Sequence, residues 1–112
     1  MLALDDPDVI AAVRFIRENA DRAIRVNDVA HAVAMSRRSL ERRFLRAFDR
    51  TIADEITRVH VQRAKKLLSE SDLPIPHVAE AAGFGSPEYL ATVFRREFGV
   101  TPLKYRSKVR GR

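Results

Sequence analysis

Six arginines fall between positions 37 and 50: Arg37, Arg38, Arg42, Arg43, Arg46 and Arg50. A guanidinium is a permanently charged, planar fork of N–H donors. It bonds twice to guanine O6 and N7 in a major groove, or to a phosphate. The spacing of the run suits that chemistry. Leu40, Phe44 and Phe48 recur with a helical period and face inward, so Arg37, Arg38, Glu41, Arg42 and Arg46 point outward. The N-terminal part of a recognition helix enters a groove most deeply. Arg38 and Arg42 are therefore assigned to base edges. Glu41 is placed either to accept from cytosine N4 or to hold Arg37 or Arg38 in position; the spacing leaves both open. Arg37, Arg43 and Arg46 are assigned to phosphates. A single arginine is ordinary solvated charge, but six between positions 37 and 50 make a surface for a polyanion.

Other chemistries find little support. The chain has no cysteine, so disulfides and thiol nucleophiles are excluded. His31, His60 and His77 are scattered, without the spacing of a metal site. No Ser/His/Asp grouping and no phosphate-cradling glycine loop appears, so neither an enzyme nor a bound cofactor is expected. The net charge of +6 and pI near 10.5 favour an anionic partner. No apolar run approaches the ~20 residues that span a bilayer, and Met1–Asp5 lacks the features of a signal peptide, so the cytoplasm is the expected compartment.

The elements that must position the arginines are all helical. No stretch alternates like a strand, and seven helices are expected. Asp6-Pro7 opens the first, as N-cap and first-turn proline, and it ends near Asn19. Asn27 caps a short second helix, and Ser36 caps the third. Thr51, with Asp54 three residues on, opens a fourth that runs to about Ser71. Pro76 starts the fifth, which stops at Gly83; Ser86-Pro87 starts the sixth, which stops at Gly99; Thr101-Pro102 starts the seventh.

The chain also repeats itself. Residues 26–34 align with 75–83. At a constant offset of 50, Ser36, Leu40, Phe44, Arg46, Phe48 and Thr51 match Ser86, Leu90, Phe94, Arg96, Phe98 and Thr101. Caps and core positions kept in register point to two copies of one unit. A short helix, a tight turn and a second amphipathic helix describe a helix-turn-helix. In the second copy Ala79 suits the close helix crossing, Gly83 the turn, and Phe84 the core. Ala30 and Met35 play the same parts in the first copy, but Ala34 stands where glycine is preferred. That turn is expected to be strained by ~1 kcal/mol or to be of a different type. The unit boundaries read as 1–50 (recognition helix about 37–48), a linker helix 51–71, and 72–108 (recognition helix about 87–98). A disordered basic tail, 109–112, follows. The linker of about 30 Å matches the ~34 Å recurrence of major grooves on one face of a duplex.

The second recognition helix differs from the first. Its outward positions are Pro87, Glu88, Ala91 and Thr92, with Arg95 further on. Ala91 and the Thr92 methyl suit thymine methyls, and Glu88 suits cytosine. Arg95 and the helix starts near Asn27, Ser36, Pro76 and Ser86 are assigned to phosphates. The first unit is thus expected to supply more of the base discrimination. Tyr89 and Tyr105 are expected to be partly buried with free hydroxyls, and the six phenylalanines to be core.

The segment Gly83-Phe84-Gly85-Ser86-Pro87-Glu88-Tyr89-Leu90 and its continuation through Phe94, Phe98-Gly99, Thr101-Pro102 and Tyr105-Arg106 resembles the signature of AraC/XylS-type transcription regulators. The resemblance covers about residues 8–106. It implies an all-α, seven-helix domain of two helix-turn-helix units that binds double-stranded DNA, with Arg38, Glu41 and Arg42 at reading positions. The opening Asp6–Ile10 with Phe15-Ile16-Arg17, and Ser36–Phe44, are similar to the xylose-operon-regulator subgroup, which implies a bacterial activator of a sugar-utilisation operon. Family members usually carry an effector-binding domain ahead of this one. None is present in these residues, so the chain reads as an excised domain or a stand-alone member. RNA polymerase is the implied second partner and the nucleoid the implied location. The alternatives are a stand-alone regulator of stress genes, or a polymerase-interaction module with weak DNA specificity. Related domains fused to DNA-repair methyltransferases need a cysteine that this chain lacks.

Overall fold

The computed structural model describes residues 6–111, and all its regular structure is helical. The helices are α1 (Pro7–Glu18), α2 (Val26–Ala32), α3 (Arg37–Phe48), α4 (Ile52–Glu70), α5 (Ile75–Ala81), α6 (Pro87–Phe98) and α7 (Pro102–Val109). They form two compact units. One comprises residues 6–19 and Ile24–Val59; the other comprises Ala20–Ala23 and residues 60–111. α4 gives its first two turns to the former and the remainder to the latter, so the linker helix is shared rather than separate.

Local chemistry sets the helix ends. The Asp6 carboxylate accepts from the N–H groups of Asp8 (3.1 Å) and Val9 (3.3 Å), two donors that the start of α1 leaves without a helical partner. Thr51 and Asp54 cap α4 reciprocally: Asp54 N–H donates to Thr51 Oγ1 at 3.0 Å and Thr51 N–H to Asp54 Oδ2 at 3.4 Å. Two starts differ from the sequence expectation by one residue or two. α2 begins at Val26, and Arg25 rather than Asn27 is its N-cap. Asp28 takes the capping role from inside the helix, accepting from Arg25 N–H at 2.7 Å. α5 begins at Ile75, because Pro76 also fits the second helical position, where its missing N–H costs nothing.

In the first unit the core is Val9, Ala12, Ile16, Ile24, Val29, Ala30, Leu40, Phe44, Ile52 and Ile56. In the second it is Val61, Ala64, Leu68, Val78, Ala79, Ala82, Phe84, Leu90, Val93 and Phe94. Burying each of the larger side chains contributes about 1.5–3 kcal/mol. The repeat holds at the level of packing. The Phe44 and Phe48 rings lie 4.8 Å apart at 48°, and those of Phe94 and Phe98 lie 4.7 Å apart at 51°. Phe44, Phe84 and Phe94 are buried, while Phe15, Phe48 and Phe98 are partly buried against the same cores.

The helix-turn-helix turns also match. Met35 N–H donates to Ala30 C=O at 3.0 Å, and Phe84 N–H to Ala79 C=O at 2.9 Å. Gly83 sits at φ +83° and Ala34 at φ +55°. Of the two options for Ala34, the first holds: the turn is the same, and alanine occupies its left-handed position at a cost of about 1 kcal/mol. Gly83 has a second constraint. A Cβ there would lie 2.6 Å from His60 Nε2 and 2.8 Å from Arg22 C=O. The buried His60 ring fills that space, with Nε2 3.0 Å from the same carbonyl.

The chain end departs from the expected tail. Val109 is the last residue of α7 and Arg110 caps it. Arg110 donates to Ser71 C=O at 2.7 Å and pairs with Asp72 at 2.8 Å. Arg106 donates to the carbonyls of Leu68 (3.1 Å) and Leu73 (2.7 Å). Both arginines thus serve carbonyl groups left open where α4 ends. Of the expected tail, Arg112 lies outside the described residues.

Candidate nucleic-acid interface

In the first unit, Ser36 Oγ accepts from Ser39 N–H at 3.1 Å and sets the start of α3. Leu40 and Phe44 anchor the inner face at zero exposure, and Ala47 and Phe48 complete it. That anchoring turns Arg38, Arg42 and Arg46 outward. All three are exposed, and none makes a side-chain hydrogen bond or ion pair among the described residues. Three unneutralised guanidinium groups on one face are a cationic strip with its donors unfilled.

The other charged residues of α3 are already engaged. Arg37 pairs with Glu41 one turn on (Nε–Oε1 2.9 Å) and reaches Asn27 Oδ1 at 3.4 Å. Glu41 thus holds Arg37 in this structure. Arg43 is held within its own unit. Its guanidinium donates twice to Asp6, at 2.6 and 3.1 Å, and once to Asp8, at 3.1 Å. A fork whose donors are met by two carboxylates fastens α3 to the start of α1. Burial works to raise the Asp6 carboxyl, but Arg43 and the capping N–H groups outweigh it and hold that carboxyl below the ordinary range. Nor does Arg50 join the strip: Arg50 and Arg58 each meet the buried Glu55 at 2.8 Å, and the Arg50 guanidinium lies over the Phe48 ring.

In the second unit, Ser86 Oγ accepts from Tyr89 N–H at 3.0 Å and starts α6. Leu90, Val93 and Phe94 anchor its inner face at zero exposure. Glu88, Thr92 and Arg95 are exposed, while Pro87 and Ala91 lie half-buried on the flank. The Thr92 hydroxyl donates back to Glu88 C=O at 3.0 Å, which leaves the methyl as its free group. Arg95 and Arg96 are exposed without side-chain partners among the described residues. Asn27 lies in the second helical position of α2 and is exposed.

Three residues on these faces escape the sequence reading. Tyr89 is 53% exposed rather than partly buried, its ring leaning on Phe84 at 5.7 Å. Arg96 shares its face, and Leu45 on α3 is 49% exposed. Plotting both helices at 100° per residue places each of them on the outward arc. The three-ligand geometry of a metal site is not found: no group of three or more His, Asp or Glu side chains gathers among the described residues. Nor is any helix among them long and apolar enough to cross a membrane.

Two tightly cored three-helix units, each presenting an N-capped amphipathic helix after a left-handed turn, define a tandem helix-turn-helix domain. A family model described as "Helix-turn-helix domain" matches residues 29–108. The chain belongs to that family, in its AraC-type branch. It is 38% identical over 104 residues to the xylose operon regulatory protein of Haemophilus influenzae, a match covering 93% of this chain and 27% of that protein. Among solved structures, the DNA-binding domain of AdpA in complex with a target DNA is 32% identical, with a TM-score of 0.88 and 95% of each chain covered. The xylose-binding transcription activator xylR is 35% identical with a TM-score of 0.80, covering 92% of this chain and 27% of that one. The chain spans about a quarter of the length of the curated relatives it matches.

Proposed function

We propose that this chain is a sequence-specific reader of double-stranded DNA, placing α3 and α6 in successive major grooves of one duplex. The observation that carries the proposal is the set of unpartnered guanidinium groups of Arg38, Arg42 and Arg46 on a helix whose opposite face is locked into a core. Arg38 and Arg42, in the first half of α3, read guanine O6 and N7. Arg46, on the same face, meets phosphate, as do the backbone N–H groups behind Ser36 and Ser86 and the guanidinium of Arg95. On α6, Glu88 accepts from cytosine N4, and Thr92, Ala91 and Pro87 offer apolar surface to thymine methyls.

The relatives' names extend the reading. As a domain similar to xylose operon regulators, it belongs to a longer bacterial activator of a sugar-utilisation operon. That protein acts in the cytoplasm, on the nucleoid, beside RNA polymerase.

Selection of bound duplexes from random DNA, followed by gel-shift titration over a salt series, tests the proposal. The expected result is a consensus in two blocks, bound at least about a thousandfold more tightly than random duplex, with log K falling steeply with log salt. Equal affinity for selected and random duplexes would overturn it.

A further inference from the structure

Leu45 is a large apolar side chain left 49% exposed in the last turn of α3, and it is not among the residues packed against the first unit's core. Its neighbours on the surface are charged. It follows Arg38 by seven positions, Glu41 by four and Arg42 by three, so the four share one stripe of the helix. That spacing, i, i+3, i+4 and i+7, is the one by which a homeodomain recognition helix reads the major groove. The equivalent residue on α6 is Arg95, which is exposed and charged. The apolar choice at 45 is therefore not a demand of the repeated fold.

We propose that Leu45 is a fourth base-reading residue, which recognises the 5-methyl group of a thymine in the half-site read by α3. The proposal rests on α3 being the groove-reading helix. Within that frame the chemistry is specific. A leucine has no donor or acceptor, so it cannot read a base by hydrogen bonding. The thymine methyl is the one apolar group that standard bases present in the major groove. An isobutyl group against that methyl excludes water from both, and a cytosine or a methyl-free pyrimidine at that position loses the contact.

The test is a substitution scan on a duplex selected from random sequence by the 112-residue chain. Each thymine of the α3 half-site is replaced in turn by deoxyuridine, which pairs identically but lacks the methyl. For the unsubstituted chain, one position is expected to lose about fourfold in affinity, the worth of one buried methyl group. Leu45→Ala is expected to bind the thymine duplex several-fold more weakly and to be indifferent to deoxyuridine at that position. Leu45→Met, which keeps the apolar contact, is expected to keep the sensitivity. Because Leu45 is exposed, both variants should melt within a degree or two of the parent. The proposal is overturned if no thymine shows a sensitivity that Leu45→Ala removes. It is equally overturned if Leu45→Ala leaves DNA affinity untouched while lowering promoter activation, which would assign the residue to a protein contact. Arg38→Ala separates these results from a failure of the frame: if it relaxes base preference in the α3 half-site while the deoxyuridine scan is flat, α3 reads DNA without Leu45.

Discussion

Arg43 Nη2 stands 2.6 Å from Asp6 Oδ1, so an arginine of the recognition helix is fastened to the residue that caps α1. Arg46, three residues on, is exposed and has no such partner. The two arginines should differ in the salt dependence of DNA binding, where each neutralised phosphate adds about −0.9 to the slope of log K against log salt. Arg46→Gln is expected to make the slope shallower by about one. Arg43→Gln is expected to leave the slope unchanged while lowering the melting temperature. Slopes fitted between about 50 and 300 mM salt decide this, and an equal loss for both variants would return Arg43 to the phosphate contacts.

Ala34 and Gly83 occupy the same left-handed position in matching turns, and they should respond oppositely to exchange. Ala34→Gly relieves the strained backbone and is expected to stabilise the chain by about 0.5–1 kcal/mol, despite the added freedom of the unfolded glycine. Gly83→Ala imposes the same strain and drives a methyl into His60 and the Arg22 carbonyl, for an expected loss of about 3 kcal/mol. Urea denaturation of the two variants checks both signs.

Glu55 is 1% exposed and held by Arg50 and Arg58. Burial works to raise its carboxyl, but the two guanidinium groups outweigh that effect and lower it from the ordinary glutamate value. The unfolded chain therefore binds this proton more readily than the folded one. The stabilisation is fully present above the unfolded value, about 4.3, and is lost as pH falls through the lower folded value. Asp6 has the same sign. Thermal melts from pH 7 to pH 3 should show a steep acid loss. Glu55→Gln should be less stable at pH 7, by about 2 kcal/mol, with a shallower decline below pH 4.5. Parallel pH profiles for parent and variant would contradict the assignment.

The two recognition helices should contribute unequally to sequence discrimination. Arg38→Ala removes a guanidinium with all donors open and is expected to cost about 1–3 kcal/mol on the selected site, relaxing the preference at one base pair. Thr92→Ala removes a hydroxyl already bonded to Glu88 C=O along with one methyl, and is expected to cost less than about 1 kcal/mol. Binding of both variants to matched and mismatched duplexes measures the asymmetry; equal loss of discrimination would refute it.

The repeat explains why so much of the fold was legible. Ser36 and Ser86, Phe44 and Phe94, and Thr51 and Thr101 each carry local or core information that the other copy duplicates. Capping and period therefore agreed twice. What escaped was set by contacts distant in sequence. Nothing near Arg43 signals that Asp6, thirty-seven residues earlier, will fill its donors, and nothing near Arg110 signals Asp72. The start of α2 lies before the expected one because Asp28, from within the helix, accepts from the Arg25 N–H, a reversal of the usual Asn or Ser cap. Leu45 is illegible for a different reason: its apolar side chain is the type that fills cores, and only the placement of Leu40, Phe44 and Phe48 shows that 45 lies off that face.

The central claim is that one chain reads two successive grooves. Hydroxyl-radical footprinting of the selected duplex tests it most directly, with protein held below any concentration at which a second copy binds. Two protected backbone clusters are expected on one face of the DNA, about 10 base pairs apart, with Arg38→Ala relaxing base preference within one block alone. A single protected cluster, or a second that appears only when a second copy joins, would contradict it.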